Sequence, residues 1–124
     1  MSTQLAALAK KFPQSVIHKV PVGGGVQADY VPASLVIEKL LAIVGPYGWK
    51  VRVIDAGTVV GTLTVVIDGR EVQVDGIGLG SDPKNAESDA LKRAARSVGV
   101  ALHLWSGDDY RLDRALRNDD EGEA

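Results

Sequence analysis

The 124-residue chain contains no cysteine, which excludes disulfides, thiolate catalysis and cysteine-built zinc sites together. Its two histidines, His18 and His103, stand far apart in the chain, so a histidine-built zinc site is not expected either. Aromatic residues are scarce: two tryptophans, three tyrosines and one phenylalanine leave the core to aliphatic side chains. No segment approaches the roughly 20 apolar residues that span a bilayer, and the stretch from Met1 to Lys10 lacks the apolar run and cleavage pattern of a secretory signal. A cytosolic protein in a reducing compartment is expected. The chain also lacks the basic surplus usual in nucleic-acid-binding domains, with a formal charge of −2.

That average conceals an asymmetry. Residues 118–124 carry Asp119, Asp120, Glu121 and Glu123 and no base, so residues 1–117 hold fourteen bases against twelve acids, a net +2. The length suits one domain, expected over residues 1–117, followed by an acidic tail of the disordered, solubilising kind over 118–124.

Apolar spacing predicts a short helix from Thr3 to Lys11 and a weak strand around Ser15 to Val20. Val22-Gly-Gly-Gly-Val26 is glycine-rich enough to be expected as a mobile connection. A helix beginning near Pro32 carries Leu35, Val36, Leu40, Ile43 and Val44 on one side and ends at Gly45-Pro46. Period-two segments then run from Trp49 to Ile54, Thr58 to Ile67 and Glu71 to Ile77, with Asp68-Gly69 as a two-residue hairpin signal between the last two. Asp82-Pro83 supplies an N-cap and a first-turn proline for a long helix expected to reach about His103, and a short helix is expected from Asp109 to Arg117. The fold class is α+β: a three-stranded antiparallel meander packed against a long helix.

The long helix has two faces. At 3.6 residues per turn, Lys92, Arg93 and Arg96 fall within an arc of roughly 100°, while Ala90, Leu91, Ala94, Ala95, Val98, Ala101 and Leu102 lie opposite. A solvated face with Asp89 paired to Arg93 at i+4 is the plain reading. Three like charges in little more than one turn repel one another unless an anion relieves them, which points to a phosphate-gripping surface. His103 falls on the cationic arc if the helix runs that far. The dearth of aromatics fits a protein that grips phosphates and leaves bases free, since storage of single strands leans on aromatic stacking; Trp49 and Trp105 are expected in the core or at an interface.

The stretch from Asp29-Tyr-Val-Pro32 to Gly45-Pro-Tyr-Gly-Trp49, the strands, Asp75-Gly-Ile-Gly78, and Glu87-Ser-Asp-Ala-Leu-Lys-Arg-Ala-Ala-Arg-Ser-Val-Gly99 together resemble the Rad fifty-two family of single-strand annealing proteins, over about residues 28–110. The resemblance implies a β-β-β-α core that assembles into rings or helical arcs, binds single-stranded DNA in an outer groove and pairs complementary strands without ATP. It implies that Lys92, Arg93 and Arg96 contact the DNA backbone. The family's eukaryotic members have an arginine where this chain has Leu35, and their tyrosine near the Gly-Trp motif is offset by one position from Tyr47, the nearest equivalent here. At this length the chain is similar to the minimal DNA-binding core of phage and bacterial relatives, which implies the cytoplasm of a bacterial or phage-infected cell.

Lys50, Arg52, Arg70 and Lys84, near the sheet ends, are candidates to extend a DNA groove, and Arg111 and Arg114 for an outer path. Gly76-Ile-Gly-Leu-Gly80 has neither the GxGxxG spacing nor the lysine and serine of a phosphate loop, and reads as a strand end packed closely against another backbone. Asp68, Glu71 and Asp75 would be the metal ligands of a nuclease, but no histidine or lysine converges on them, so neither catalysis nor a cofactor is expected. A double-stranded-RNA module, also built as helix, three strands and helix, is the other binding reading. The preferred expectation is a homo-oligomer that binds and anneals single-stranded DNA.

Overall fold

The computed structural model describes residues 3–106 and 110–116; the acidic tail and the ends of the expected last helix lie outside the described residues. The chain is α+β. Helix α1 (Thr3–Ala9) is followed by a single 3-10 turn, then by strands β1 (His18–Gly23) and β2 (Val26–Tyr30), helix α2 (Ala33–Val44), strands β3 (Gly48–Asp55), β4 (Thr58–Ile67) and β5 (Arg70–Leu79), helix α3 (Pro83–Arg96) and helix α4 (His103–Ser106). A further helical turn covers residues 112–116. Among the described residues no helix is long and apolar enough to cross a membrane.

The sheet β3-β4-β5 is an antiparallel meander. Asp68 and Gly69 both adopt positive φ, 55° and 77°, the type I′ geometry that matches the twist of the strands they join. Leu63, Val59 and Val65 are buried on one sheet face. On β5 that face carries Gly76 and Gly78, paired with Gly61 and Val59. A Cβ at Gly78 would stand 1.9 Å from the Ala86 carbonyl oxygen, and one at Gly76 would stand 2.1 Å from that of Ala90. The glycines therefore let the α3 backbone rest directly on β5, with Ala86, Ala90 and Ala94 buried between. Leu8, Val36, Leu40, Leu91, Ala95 and Val98 complete the main core where α1 and α2 meet α3.

Two expectations are corrected. The triple glycine is no mobile connection: β1 and β2 form an antiparallel hairpin, with Gly24 and Gly25 at φ 61° and 76° in its turn. Gly-Gly satisfies the positive φ of a two-residue hairpin turn, and that requirement outweighs the flexibility of the segment. The long helix stops at Arg96 instead of reaching His103. Gly99, at φ 98°, donates to the Arg96 carbonyl at 2.9 Å and Val100 donates to the Ala95 carbonyl at 3.1 Å, the paired bonds of a Schellman ending. The apolar periodicity of Val98, Ala101 and Leu102 crosses this glycine and conceals the stop. Ala101 follows at φ 59°, one of two non-glycine residues with positive φ among the described residues.

Because the chain reverses at Gly99, His103 leaves the cationic arc and enters the core, where it is 9 % exposed. Its Nε2 accepts the Phe12 N–H at 3.1 Å. Burial first, then the charges of Lys39 and Lys11, hold its pKa below the ordinary histidine value. Nearby, the buried Tyr110 donates its hydroxyl to the Ala9 carbonyl, and burial pushes its pKa up to about 12.

Candidate functional site

A group of three cations lies on the last two turns of α3. The helix begins with Asp82, whose Oδ1 accepts the Asn85 N–H at 2.8 Å, and Pro83 follows in the first turn. The sheet glycines fix the axis of the helix, and Asp89 fixes its rotation, accepting the Leu79 N–H of β5 at 3.0 Å. Lys92, Arg93 and Arg96 follow Asp89 at i+3, i+4 and i+7 and so lie on the same side of the helix as Asp89, beside the β5 edge.

The three cations are held differently. Arg93 Nε donates to Asp89 Oδ2 at 2.9 Å, an i,i+4 ion pair that offsets part of its charge. Arg96 has no carboxylate within ion-pair distance among the described residues; its guanidinium lies over the Trp105 ring at 4.1 Å from the centroid, and that of Arg93 lies over the same ring at 4.9 Å. Lys92 likewise has no ion pair, and its Nζ sits 5.2 Å from the centroid of Tyr30. Half-burial lowers the Lys92 pKa, with Asp89 pulling the other way. Cation–π contacts order these side chains while leaving their charge available.

Two residues of this cluster escape a one-dimensional reading. Tyr30 arrives from β2 and Trp105 from α4, and no spacing signal relates either to α3. Trp105 is 47 % exposed, so it is not a core residue; Trp49 instead lies across Gly61, and its Nε1 donates to Glu87 at 3.1 Å.

The other candidates divide into separate places. Tyr47 and Lys84 line one cavity of about 250 Å³ together with Trp49 and Glu87, toward the start of α3. Lys50 and Arg52 are exposed, and their partners Thr62 and Val60 belong to the sheet face opposite the one that carries Gly61 and Leu63. They therefore point away from α3 and do not continue its cationic face. Arg70 is exposed beside the β4-β5 turn, and Arg111 and Arg114 are exposed near the end of the described chain. Asp75 accepts a hydrogen bond from Thr62 Oγ1 at 2.7 Å on the outer sheet face, and no three histidine, aspartate or glutamate side chains are grouped for a metal among the described residues.

Beside Tyr30 and Lys92 lies a cavity of about 270 Å³, also walled by Ala101, Leu104 and Trp105. Its surface is mostly apolar, with the Asp29 carboxylate at the rim tied to Lys19 Nζ at 2.6 Å. A second, shallower depression of about 350 Å³ is lined by Arg93, Arg96 and Asp75 along the β5 edge. No protein-family model matches the sequence, and no curated protein matches it.

Proposed function

We propose that the chain binds single-stranded DNA through the α3 face, assembles with copies of itself and anneals complementary strands without a nucleotide cofactor. The observation that carries this reading is the ordering of Lys92 and Arg96 on aromatic rings, with no ion pair to either among the described residues. Such a surface suits a polyanion bound without regard to sequence, and each neutralised phosphate of a single strand steepens the salt dependence by about 0.7 in log–log slope. The resemblance to the Rad fifty-two family supports the same reading.

Self-assembly is supported by the sheet. Among the described residues strands β3 and β5 each have an unpaired edge, and Val51, Val53 and Ile54 of β3 are exposed. Exposed apolar edges invite strand pairing, and a closed ring removes them. A ring also multiplies two or three weak phosphate contacts per subunit into tight binding.

The order α2, β3, β4, β5, α3 is also the plan of double-stranded-RNA modules. The charge favours the single-strand reading, because Lys84 alone marks the first turn of α3 and the cluster lies on the last two. The test is annealing of complementary oligonucleotides with no nucleotide added, using wild type and Lys92→Ala/Arg96→Ala, with duplex RNA as a competitor for binding. Wild type should speed annealing above background and the double variant should not. A wild type without effect on annealing refutes the function; a fully active double variant refutes the site; tighter binding of duplex RNA than of single-stranded DNA selects the other module.

A further inference from the structure

The cavity beside Lys92 adjoins the phosphate-gripping surface and shares Lys92 and Trp105 with it. Neither Arg93 nor Arg96 lines it, and its walls are two aromatic rings with small aliphatic side chains. Tyr30 and Trp105 are partly exposed, 37 % and 47 %, although apolar burial would be favourable for both. Lys92 Nζ, at the same cavity, has no hydrogen-bond acceptor among the described residues, and Asp29, which also lines it, holds Lys19 through Oδ1. The cavity wall also includes Ala101 at left-handed φ, a strained backbone of the kind that gathers at binding sites. An aromatic-walled recess with a donor-only cation matches a flat heterocycle that brings its own acceptors.

We propose that this cavity takes one nucleobase out of the bound single strand, with the base ring against Tyr30 and Trp105, its carbonyl on Lys92 Nζ, and an adjacent phosphate on Arg96. The inference rests on the single-strand reading of the α3 face and adds to it a base-contacting subsite. The incoming carbonyl draws the ammonium from the tyrosine ring, replacing a cation–π contact with a charge-assisted hydrogen bond. Thymine and guanine present such carbonyls, and adenine has none. One base held per subunit would leave the intervening bases open to pair, which reconciles a stacking site with an annealing activity.

The experiment compares a fluorescein-labelled oligothymidylate with an abasic strand of the same number of phosphates, titrated into wild type and Tyr30→Leu and followed by anisotropy. Wild type should bind the thymidylate more tightly than the abasic strand by roughly 5- to 150-fold, the range of one stacked base. Tyr30→Leu should lose that preference, read as the ratio of the two affinities within each protein, because Tyr30 also orders Lys92 and its loss weakens the abasic affinity as well. Trp49→Phe, which leaves Trp105 as the only indole, should show quenching with thymidine 5′-monophosphate and none with deoxyribose 5-phosphate. Equal affinity for the two strands in wild type, or an unchanged preference in Tyr30→Leu, overturns the base site while the phosphate surface stands. Failure to bind either strand removes both proposals.

Discussion

Gly78 offers the most direct check of how α3 is seated. In Gly78→Ala the new Cβ would lie 1.9 Å from the Ala86 carbonyl oxygen, 2.4 Å from the Ala90 nitrogen and 2.8 Å from the Ala90 Cβ. Ordinary contact begins near 3.4 Å, so the helix and strand must separate by about 1.5 Å at that point, and the two nearest obstacles are backbone while the third is a Cβ fixed to it. Overpacking of this kind costs about 1–3 kcal/mol, offset by the 0.4–1 kcal/mol that alanine gains over glycine by stiffening the unfolded chain. Because no side chain can rotate aside, the net loss should be about 2 kcal/mol, or roughly 8 °C in Tm for a chain of this length. Gly61→Ala is the matched comparison. Its Cβ would meet the Trp49 ring at 2.0 Å, but that ring is the far end of a side chain and can swing, giving up its Glu87 bond and some packing for about 1 kcal/mol. Urea denaturation with a common m-value measures both. A Gly78→Ala protein within 0.5 kcal/mol of wild type, or less damaged than Gly61→Ala, would refute the claim that α3 rests on the glycine backbone of β5.

Asp89→Asn should free the Arg93 charge while the side-chain oxygen still accepts from Leu79, so the salt dependence of single-strand binding should steepen by up to about 0.7 in log–log slope; an unchanged slope would place Arg93 outside the DNA contact. His103 has a folded-state pKa held below its ordinary 6.5, so the unfolded chain takes up the proton first. Its contribution to stability is then complete above about pH 6.5 and declines as the pH falls through the folded value. Thermal unfolding at pH 7.5 and pH 5.5 should show a smaller acid-induced drop in Tm for His103→Gln than for wild type.

The parts of the fold that local chemistry dictates were legible in the chain. Asp68-Gly69 can only be satisfied by a turn with two positive φ angles, and the strands around it alternate cleanly, so β4 and β5 lie close to where spacing puts them. The β1-β2 hairpin was hidden because almost every residue in it is exposed: with no buried face, no period-two signal is written into the sequence. The end of α3 was hidden for the opposite reason. Val98, Val100 and Ala101 are all buried, so apolar residues continue past Gly99 although the backbone has already turned, and His103 follows them into the core. The pairing of Asp89 with Arg93 could be read from an i,i+4 spacing. The partners of Lys92 and Arg96 could not, since Tyr30 and Trp105 reach α3 from elements separated from it by the whole sheet and by the Gly99 reversal.

Those partners decide what kind of cationic surface this is. A helix face charged only for solubility leaves long side chains free, because ordering a lysine or arginine costs up to about 2 kcal/mol of rotamer entropy. A face built for internal ion pairs gives each cation an acid, as Asp89 does for Arg93, and so presents little net charge. Among the described residues Lys92 and Arg96 follow neither pattern: each is laid on an exposed aromatic ring that restrains the side chain without an ion pair. Entropy given up in folding is not given up again on binding, so an anion meeting this surface keeps more of the Coulomb attraction. The aromatic residues, few as they are, therefore do for the charge what a carboxylate could not, and substitution of Trp105 should weaken phosphate binding without removing a single positive charge.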